Sequence, residues 1–287
     1  MMRAHDLGAR LGLKKYPRSW RGRCPCCDYP GGTFSVFVAR DGSARLYCAN
    51  GCHRDDLVEA IARATDHAVL RTESDAGDGV AREHKRERAL ALWRGSELAI
   101  GTLADLYLTG RDLRDLAASS ALRFRADTPH PEGGRLPAMI ALVTDIGGSP
   151  LGVHRTYLGR DGRKALIEPT KASLGPVWGG AIRLDAVTPD VPVAIGEGIE
   201  TSASAGRLMG VPAWAAVSAG NLAQGLVLPP EIRRVIIAAD PDHAGRNAAR
   251  EAWRRWKAEG REVQIASPDR EGSDFNDLLL AREGRHG

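Results

Sequence analysis

The rhythm of apolar and polar positions changes along the chain. Near the N-terminus, Val36 and Val38, with Leu46, predict the strands of a hairpin turned at Asp41-Gly42. Asp55–Ile61 follows as a short helix with acidic residues in its first turn. From Leu70 to Arg88 large apolar side chains are almost absent. That stretch cannot bury enough surface to offset its ordering entropy, and it reads as a linker running into a helix. Helical spacing resumes over Arg88–Leu98, with Leu90, Trp93 and Leu98 as the expected buried positions. A second helical stretch, Leu103–Ala118, is interrupted near Gly110. From Pro137 the period becomes that of strands, and Met139–Thr144 and Leu151–Leu158 flank the turn Asp145–Ser149.

Beyond about residue 190, strands and helices alternate. Val191–Gly196, Ala213–Val217, Arg234–Ala239 and Glu262–Ala266 read as strands. Ile199–Met209, Ala244–Glu259 and Asp277–Arg282 read as helices, with a short helical turn at Leu222–Leu226. Continuous apolar strands separated by helices predict a parallel sheet with flanking helices. The chain is thus expected to be α/β, its C-terminal sheet preceded by an α+β block and a small N-terminal unit. The expected boundaries are 1–69 for the N-terminal unit, 70–88 for the linker, 89–188 for the α+β block and 189–287 for the parallel-sheet domain.

Composition narrows the class. With 43% hydrophobic and 26% charged residues the chain is not a disordered one. It has no apolar run long enough to span a membrane and no secretory signal at its N-terminus, so no membrane association and a reducing cytoplasmic compartment are expected. All five cysteines fall between Cys24 and Cys52, whereas a disulfide-stapled secreted domain would spread them over its fold. The same segment is basic. Residues 1–54 carry ten Lys/Arg against three Asp, +7, within a chain whose net charge is +4. A basic tip points to nucleic acid, or is simply a solvated face.

Cys24-Pro25-Cys26-Cys27 and Cys48-Ala49-Asn50-Gly51-Cys52 form two knuckles separated by enough chain for a hairpin. Cys24, Cys27, Cys48 and Cys52 are the ligands expected for a structural tetrahedral Zn²⁺, which would replace the core so small a unit lacks. Buried cysteines with no metal are the alternative. Cys26 is then the odd thiol, and His53 a lesser ligand candidate.

Acidic residues collect where strands of the C-terminal block end. Glu197 follows Gly196, and Asp240 and Asp242 flank Pro241 after the strand that ends at Ala239. Functional groups gather at the carboxyl ends of strands in open parallel sheets. A further set, Asp274-Phe275-Asn276-Asp277, comes after the last strand. Converging carboxylates repel unless a cation neutralises them, and hard oxygen donors suit Mg²⁺ or Mn²⁺. Any one of these acids could instead cap a turn or helix.

Gly196-Glu197-Gly198 closing one apolar strand, and Asp240-Pro241-Asp242-His243-Ala244-Gly245 closing another, resemble the Toprim domain of primases, topoisomerases, some nucleases and recombination proteins. The two cysteine knuckles resemble the zinc-ribbon-like domain of bacterial and phage primases. The order zinc unit, linker, mixed block and Toprim, with His154–Leu158, Ile199-Glu200-Thr201 and Ser218–Asn221, resembles the primase-like proteins of phages and mobile elements. The resemblance implies a DNA primase that makes short RNA primers on a single-stranded DNA template from ribonucleoside triphosphates. It implies Glu197, Asp240 and Asp242 as catalytic, metal-binding acids, with Asp274 the next metal candidate and Asp277 a weaker one. Arg155, Lys164, Lys171 and Arg183 are the candidate phosphate-binding residues. Arg21, Arg23 and Arg45, with Trp20, Tyr29 or Tyr47, would meet template. The sequence departs from replicative primases at Thr201, where an Asp is common, at Cys27, where a His is common, and in a second knuckle one residue longer. A Toprim nuclease and a non-catalytic zinc-finger accessory protein are the rival readings. No Walker-type Gly-x-x-x-x-Gly-Lys-Ser/Thr motif is present, so a separate helicase is the expected partner.

Overall fold

The computed structural model describes residues 4–26, 34–38, 44–48, 52, 54–65, 76–268 and 272–284. Cys27, Tyr29, His53 and the turn at Asp41-Gly42 lie outside them. The chain divides into two compact units, one of residues 1–78 with 129–134, the other of 79–128 with 135–287.

The first unit is a four-stranded antiparallel sheet, with strand order following the chain, and two helices that contribute to its core. Its elements are α1 (Ala4–Arg10), β1 (Lys14–Lys15), β2 (Ser19–Gly22), β3 (Phe34–Val38), β4 (Ala44–Cys48) and α2 (Arg54–Thr65). The core is small: Leu7, Phe34, Val36, Leu57 and Ile61, with the Cys24 and Cys48 side chains among them. Trp20 packs on this core, so tightly that a Cβ at Gly8 would sit 2.3 Å from its ring.

The second unit opens with α3 (Ala76–Arg94), β5 (Glu97–Leu98) and α4 (Leu103–Thr109). Helix α3 begins inside the stretch read as a linker. Its polar residues suit an exposed helix, and Glu83 and Arg86 pair across one turn at 3.2 Å. Ala89 and Leu92 are its buried positions. The expected burial of Leu98 is not found: the chain leaves the helix at Gly95, and Leu98 stands 69% exposed on an edge strand. The interruption near Gly110 is real, with a short 3₁₀ turn at Arg114–Ala118 after it. Then come β6 (Leu122–Pro129), β7 (Arg135–Thr144), β8 (Pro150–Tyr157) and β9 (Lys171–Leu174), making a sheet of order β5-β6-β7-β8-β9.

The remaining elements are β10 (Ile182–Arg183), β11 (Val193–Gly196), α5 (Ile199–Met209), β12 (Ala213–Ala215), β13 (Arg234–Ala238), α6 (His243–Ala258), β14 (Glu262–Ala266) and α7 (Phe275–Glu283). A single π-helical turn spans Asn221–Gly225. The sheet order is β10-β12-β11-β13-β14. Strands β11 to β14 are parallel, as the apolar runs predict, and β10 adds an antiparallel edge. Helix α5 is lined with Ser202, Ala203, Ser204, Ala205 and Gly206, all buried, which lets it lie close on the strands. A Cβ at Gly206 would come 2.9 Å from that of Ala213. One core is continuous from α4 and β7 (Tyr107, Leu108, Met139) to β11, α5 and α7 (Ala194, Ala203, Leu279). The antiparallel block and the parallel sheet therefore build one body, with the carboxyl ends of β11, β12 and β13 along one edge.

Candidate functional site

The edge is shaped by local hydrogen bonds. At the end of β11, Ser202 Oγ accepts from Gly196 N at 3.0 Å and donates to the Gly198 carbonyl at 2.7 Å. This clamps the turn that presents Glu197. At the end of β12, Val217 takes φ 74°, a strained conformation for a β-branched residue. The chain then turns so that the Ala219 N–H donates to Glu197. Asn221, 2% exposed, fixes this loop by donating to the Gly180 and Ala216 carbonyls at 2.9 and 2.7 Å.

At the end of β13, Asp240 accepts from Thr201 Oγ1 at 2.8 Å. Asp242 caps α6 by accepting from Gly245 N at 2.6 Å. A Cβ at Gly245 would fall 2.8 Å from that of Asp240, so only glycine lets the helix start this close to the strand end. Asp274 caps α7, accepting from Asp277 N at 2.8 Å, while Asp277 accepts from Asp274 N at 3.0 Å. The capping reading of Asp274 and Asp277 is thus realised, and Asp274 still lies near enough to act on Asp240.

These acids feel one another. Burial, then Asp240 and Asp242, push the Glu197 carboxyl up to about 7, with Lys171 and the Ala219 N–H opposing. Burial, Asp242 and Asp274 raise Asp240 against its bond from Thr201. A set of carboxylates that destabilise each other's ionised forms is relieved by a bound cation. The hard oxygens of Glu197, Asp240 and Asp242 fit Mg²⁺ or Mn²⁺.

The four basic candidates separate into two kinds. Arg155 is 6% exposed on β8, and its guanidinium donates to the Ala172 and Ser173 carbonyls of β9 at 3.2 and 3.1 Å. Arg183 donates to the Asp145 and Ile146 carbonyls at 2.7 and 2.8 Å and lies over the Trp214 ring. Both tie strands or turns together. Lys171 and Lys164 instead meet at Glu200, 2.8 and 3.5 Å away, beside the carboxylate edge. Tyr107 also donates to Glu200.

In the first unit, Phe34 of β3 pairs with Gly22 on one side and Cys48 on the other, so Cys24 and Cys48 emerge at the same end of the sheet. The Sγ atoms of Cys24, Cys48 and Cys52 lie within 4.8 Å of one another. Cys24 and Cys52 are 3.8 Å apart, about the edge of a tetrahedron with Zn–S near ~2.3 Å. Three soft donors so placed fit Zn²⁺. Cys26 is exposed. Of the residues expected to meet template, Arg21 is paired with Glu132 at 2.6 Å, and the aromatic Tyr47 is 50% exposed.

The family comparison is decisive for the C-terminal part: the profile of the Toprim domain matches residues 192–285. This segment is a Toprim domain. The resemblance carried by Gly196–Gly198 and Asp240–Gly245 is therefore borne out. Residues 83–184, ahead of the Toprim domain, match a domain of unknown function (DUF7146). Among solved structures, the chain is similar to the DnaG catalytic core, at 18% identity over 70% of this chain and 76% of that one, with a TM-score of 0.47. The E. coli primase catalytic core gives 16% identity over 70% and 76%, TM-score 0.44. The primase fragment of the bacteriophage T7 primase–helicase protein gives 13% identity over 93% and 97%, TM-score 0.44. No curated protein matches in sequence. Among the described residues, no helix is long and apolar enough to cross a membrane.

Sequence reading placed Glu197, Asp240 and Asp242 on the Toprim edge but missed the residues that position them. Thr201 stands out in the sequence only as a departure from replicative primases, Ser202 carries a helical signal only, and Asn276 is hidden in an acidic run. Asn276 is 2% exposed, donates to the Arg111 carbonyl at 2.7 Å and to Ser204 Oγ at 3.1 Å, and accepts from Arg111. It locks α7 against α5.

Proposed function

We propose that the chain is a DNA-directed primase that joins ribonucleoside triphosphates into short RNA primers on single-stranded DNA. The observation that carries this reading is the placing of Glu197, Asp240 and Asp242 along the carboxyl edge of the Toprim sheet, near enough for Asp240 and Asp242 to act on Glu197, with Lys171 and Lys164 of the preceding block paired to Glu200 beside them. A Mg²⁺ or Mn²⁺ ion held by the three acids, with Asp274 in reserve, would supply Lewis acidity at the primer 3′-hydroxyl and charge neutralisation at the triphosphate.

The chain's own residues supply orientation. Thr201 fixes one oxygen of Asp240, the Gly245 N–H fixes one of Asp242, and the Ala219 N–H holds Glu197. Lys171 and Lys164 offer positive charge to the phosphates. Arg155 and Arg183 serve as scaffold. In the first unit, Cys24, Cys48 and Cys52, with Cys27 as the expected fourth ligand, hold a structural Zn²⁺, and the basic surface around them meets the template backbone. A separate helicase is the partner this reading calls for.

The test is incubation with single-stranded DNA, labelled ribonucleotides and Mg²⁺ or Mn²⁺. Labelled oligoribonucleotides that depend on the DNA support the reading. Shortening of the DNA without labelled product would replace it with a Toprim nuclease.

A further inference from the structure

Beside the carboxylate edge lies a buried cluster centred on Glu200, in the first turn of α5. Three other parts of the chain converge on its carboxylate. Lys171 of β9 donates to Oε2 at 2.8 Å, Lys164 from the segment after β8 stands 3.5 Å from Oε1, and Tyr107 of α4 donates its hydroxyl to Oε1. The Glu200 side chain is 8% exposed, against 35% for Lys164 and 32% for Lys171. Arg111 lies over the Tyr107 ring, 5.1 Å from its centroid.

Two ammonium groups share the one Glu200 carboxylate, and Lys171 also acts on Glu197 at the neighbouring edge, so the cluster and the acidic edge are electrostatically joined. The lysines are its more exposed members, the part of it that a ligand can reach. Its place is defined too. A Cβ at Gly198 would lie 3.4 Å from Glu200 Oε2 and 3.7 Å from Lys171 Nζ, so the ammonium stands directly behind the turn that presents Glu197.

Lysine is a compact charge on a flexible stem, and free in solution it samples many rotamers. Binding a phosphate with it ordinarily costs that freedom. A buried carboxylate that already holds two lysines removes the cost before ligand arrives, the general advantage of preorganisation. We propose that Glu200 is a positioning residue, which acts through Lys171 and Lys164 by holding their ammonium groups where the phosphates of a ribonucleoside triphosphate are received. The inference rests on the nucleotide-transfer reading above and deepens it.

The experiment is calorimetric titration of the full chain with ATP in the presence of Mg²⁺, and with AMP as the control lacking the outer phosphates. Glu200→Gln is expected to weaken ATP binding about tenfold, the scale of a charge-assisted contact, and AMP binding less than about twofold. In a Lys164→Ala/Lys171→Ala background the same Glu200→Gln change is expected to have almost no effect, because its intermediaries are gone. Tyr107→Phe removes the phenol bond without disturbing buried charge. It is expected to weaken ATP binding about two- to threefold with an unchanged circular dichroism spectrum, and it serves if Glu200→Gln does not fold.

Equal losses for ATP and AMP, a full tenfold loss in the lysine-free background, or unchanged ATP affinity in Tyr107→Phe each overturn the proposal. Absence of primer synthesis alongside the expected binding pattern would sink the primase reading while leaving the role of Glu200 intact.

Discussion

Glu197 is the residue whose protonation most directly reports on the site. Burial and the neighbouring Asp240 and Asp242 favour its neutral form and push its carboxyl up from 4.5 to about 7. The folded chain therefore keeps this proton over a range where the unfolded chain has lost it. The stability so gained is complete at low pH and is lost as pH rises from about 4.5 to about 7. A cation must displace the same proton. Mn²⁺ affinity is thus expected to rise with pH, by up to about tenfold per unit, and to level off above about 7. Titration calorimetry from acid to neutral pH checks this, and a flat profile would contradict the cluster. Glu197→Gln should weaken the dependence, leaving the part that Asp240 carries. Glu197, Asp240 and Asp242 were legible in the sequence because each lies just after an apolar strand, where chain order alone says it must emerge. Glu200 was not, because Tyr107 lies 93 residues away in sequence and only the fold brings the two together.

At the scale of elements, legibility followed burial. Helix α5, buried along most of its length, has the limits that its apolar pattern predicts, and strand β14 has its predicted limits as the edge of the parallel sheet. Helix α3 starts earlier than expected because its first turns are polar and carry no apolar stripe to read. Strand β6 was missed: Leu122, Phe124 and Thr128 alternate inward, but Arg123, Arg125 and Pro129 between them mask the period. Two substitutions test the packing. Trp256 on α6 is fully buried against the sheet, and Trp256→Ala is expected to cost about 4 kcal/mol in urea unfolding. A loss below about 1 kcal/mol would mean that α6 does not pack as described. Asn276→Ala leaves the Arg111 carbonyl and Ser204 without their partner and is expected to cost about 2 kcal/mol, with α7 exchanging its amide protons faster. Unchanged exchange in α7 would contradict its anchoring role.

For the whole molecule, the crowding of the cysteines into the N-terminal unit suits a structural metal. A small N-terminal unit with few buried side chains gains from a metal where a larger domain would rely on its core. The native protein is expected to contain about one Zn²⁺ per chain, with Cys48→Ser losing it and lowering the affinity for single-stranded DNA, most clearly at low salt. Metal analysis well below one ion per chain would refute the site. The acids at the Toprim edge and the lysines beside them are the part of the molecule proposed to carry the chemistry. The decisive measurement is the yield of labelled RNA primers on single-stranded DNA from the wild-type chain and from Asp240→Ala/Asp242→Ala. Primers are expected from the wild type and at least about a hundredfold less from the variant, with both chains folded. Equal yields from the two, or no primers from the wild type under Mg²⁺ or Mn²⁺, would contradict the primase reading.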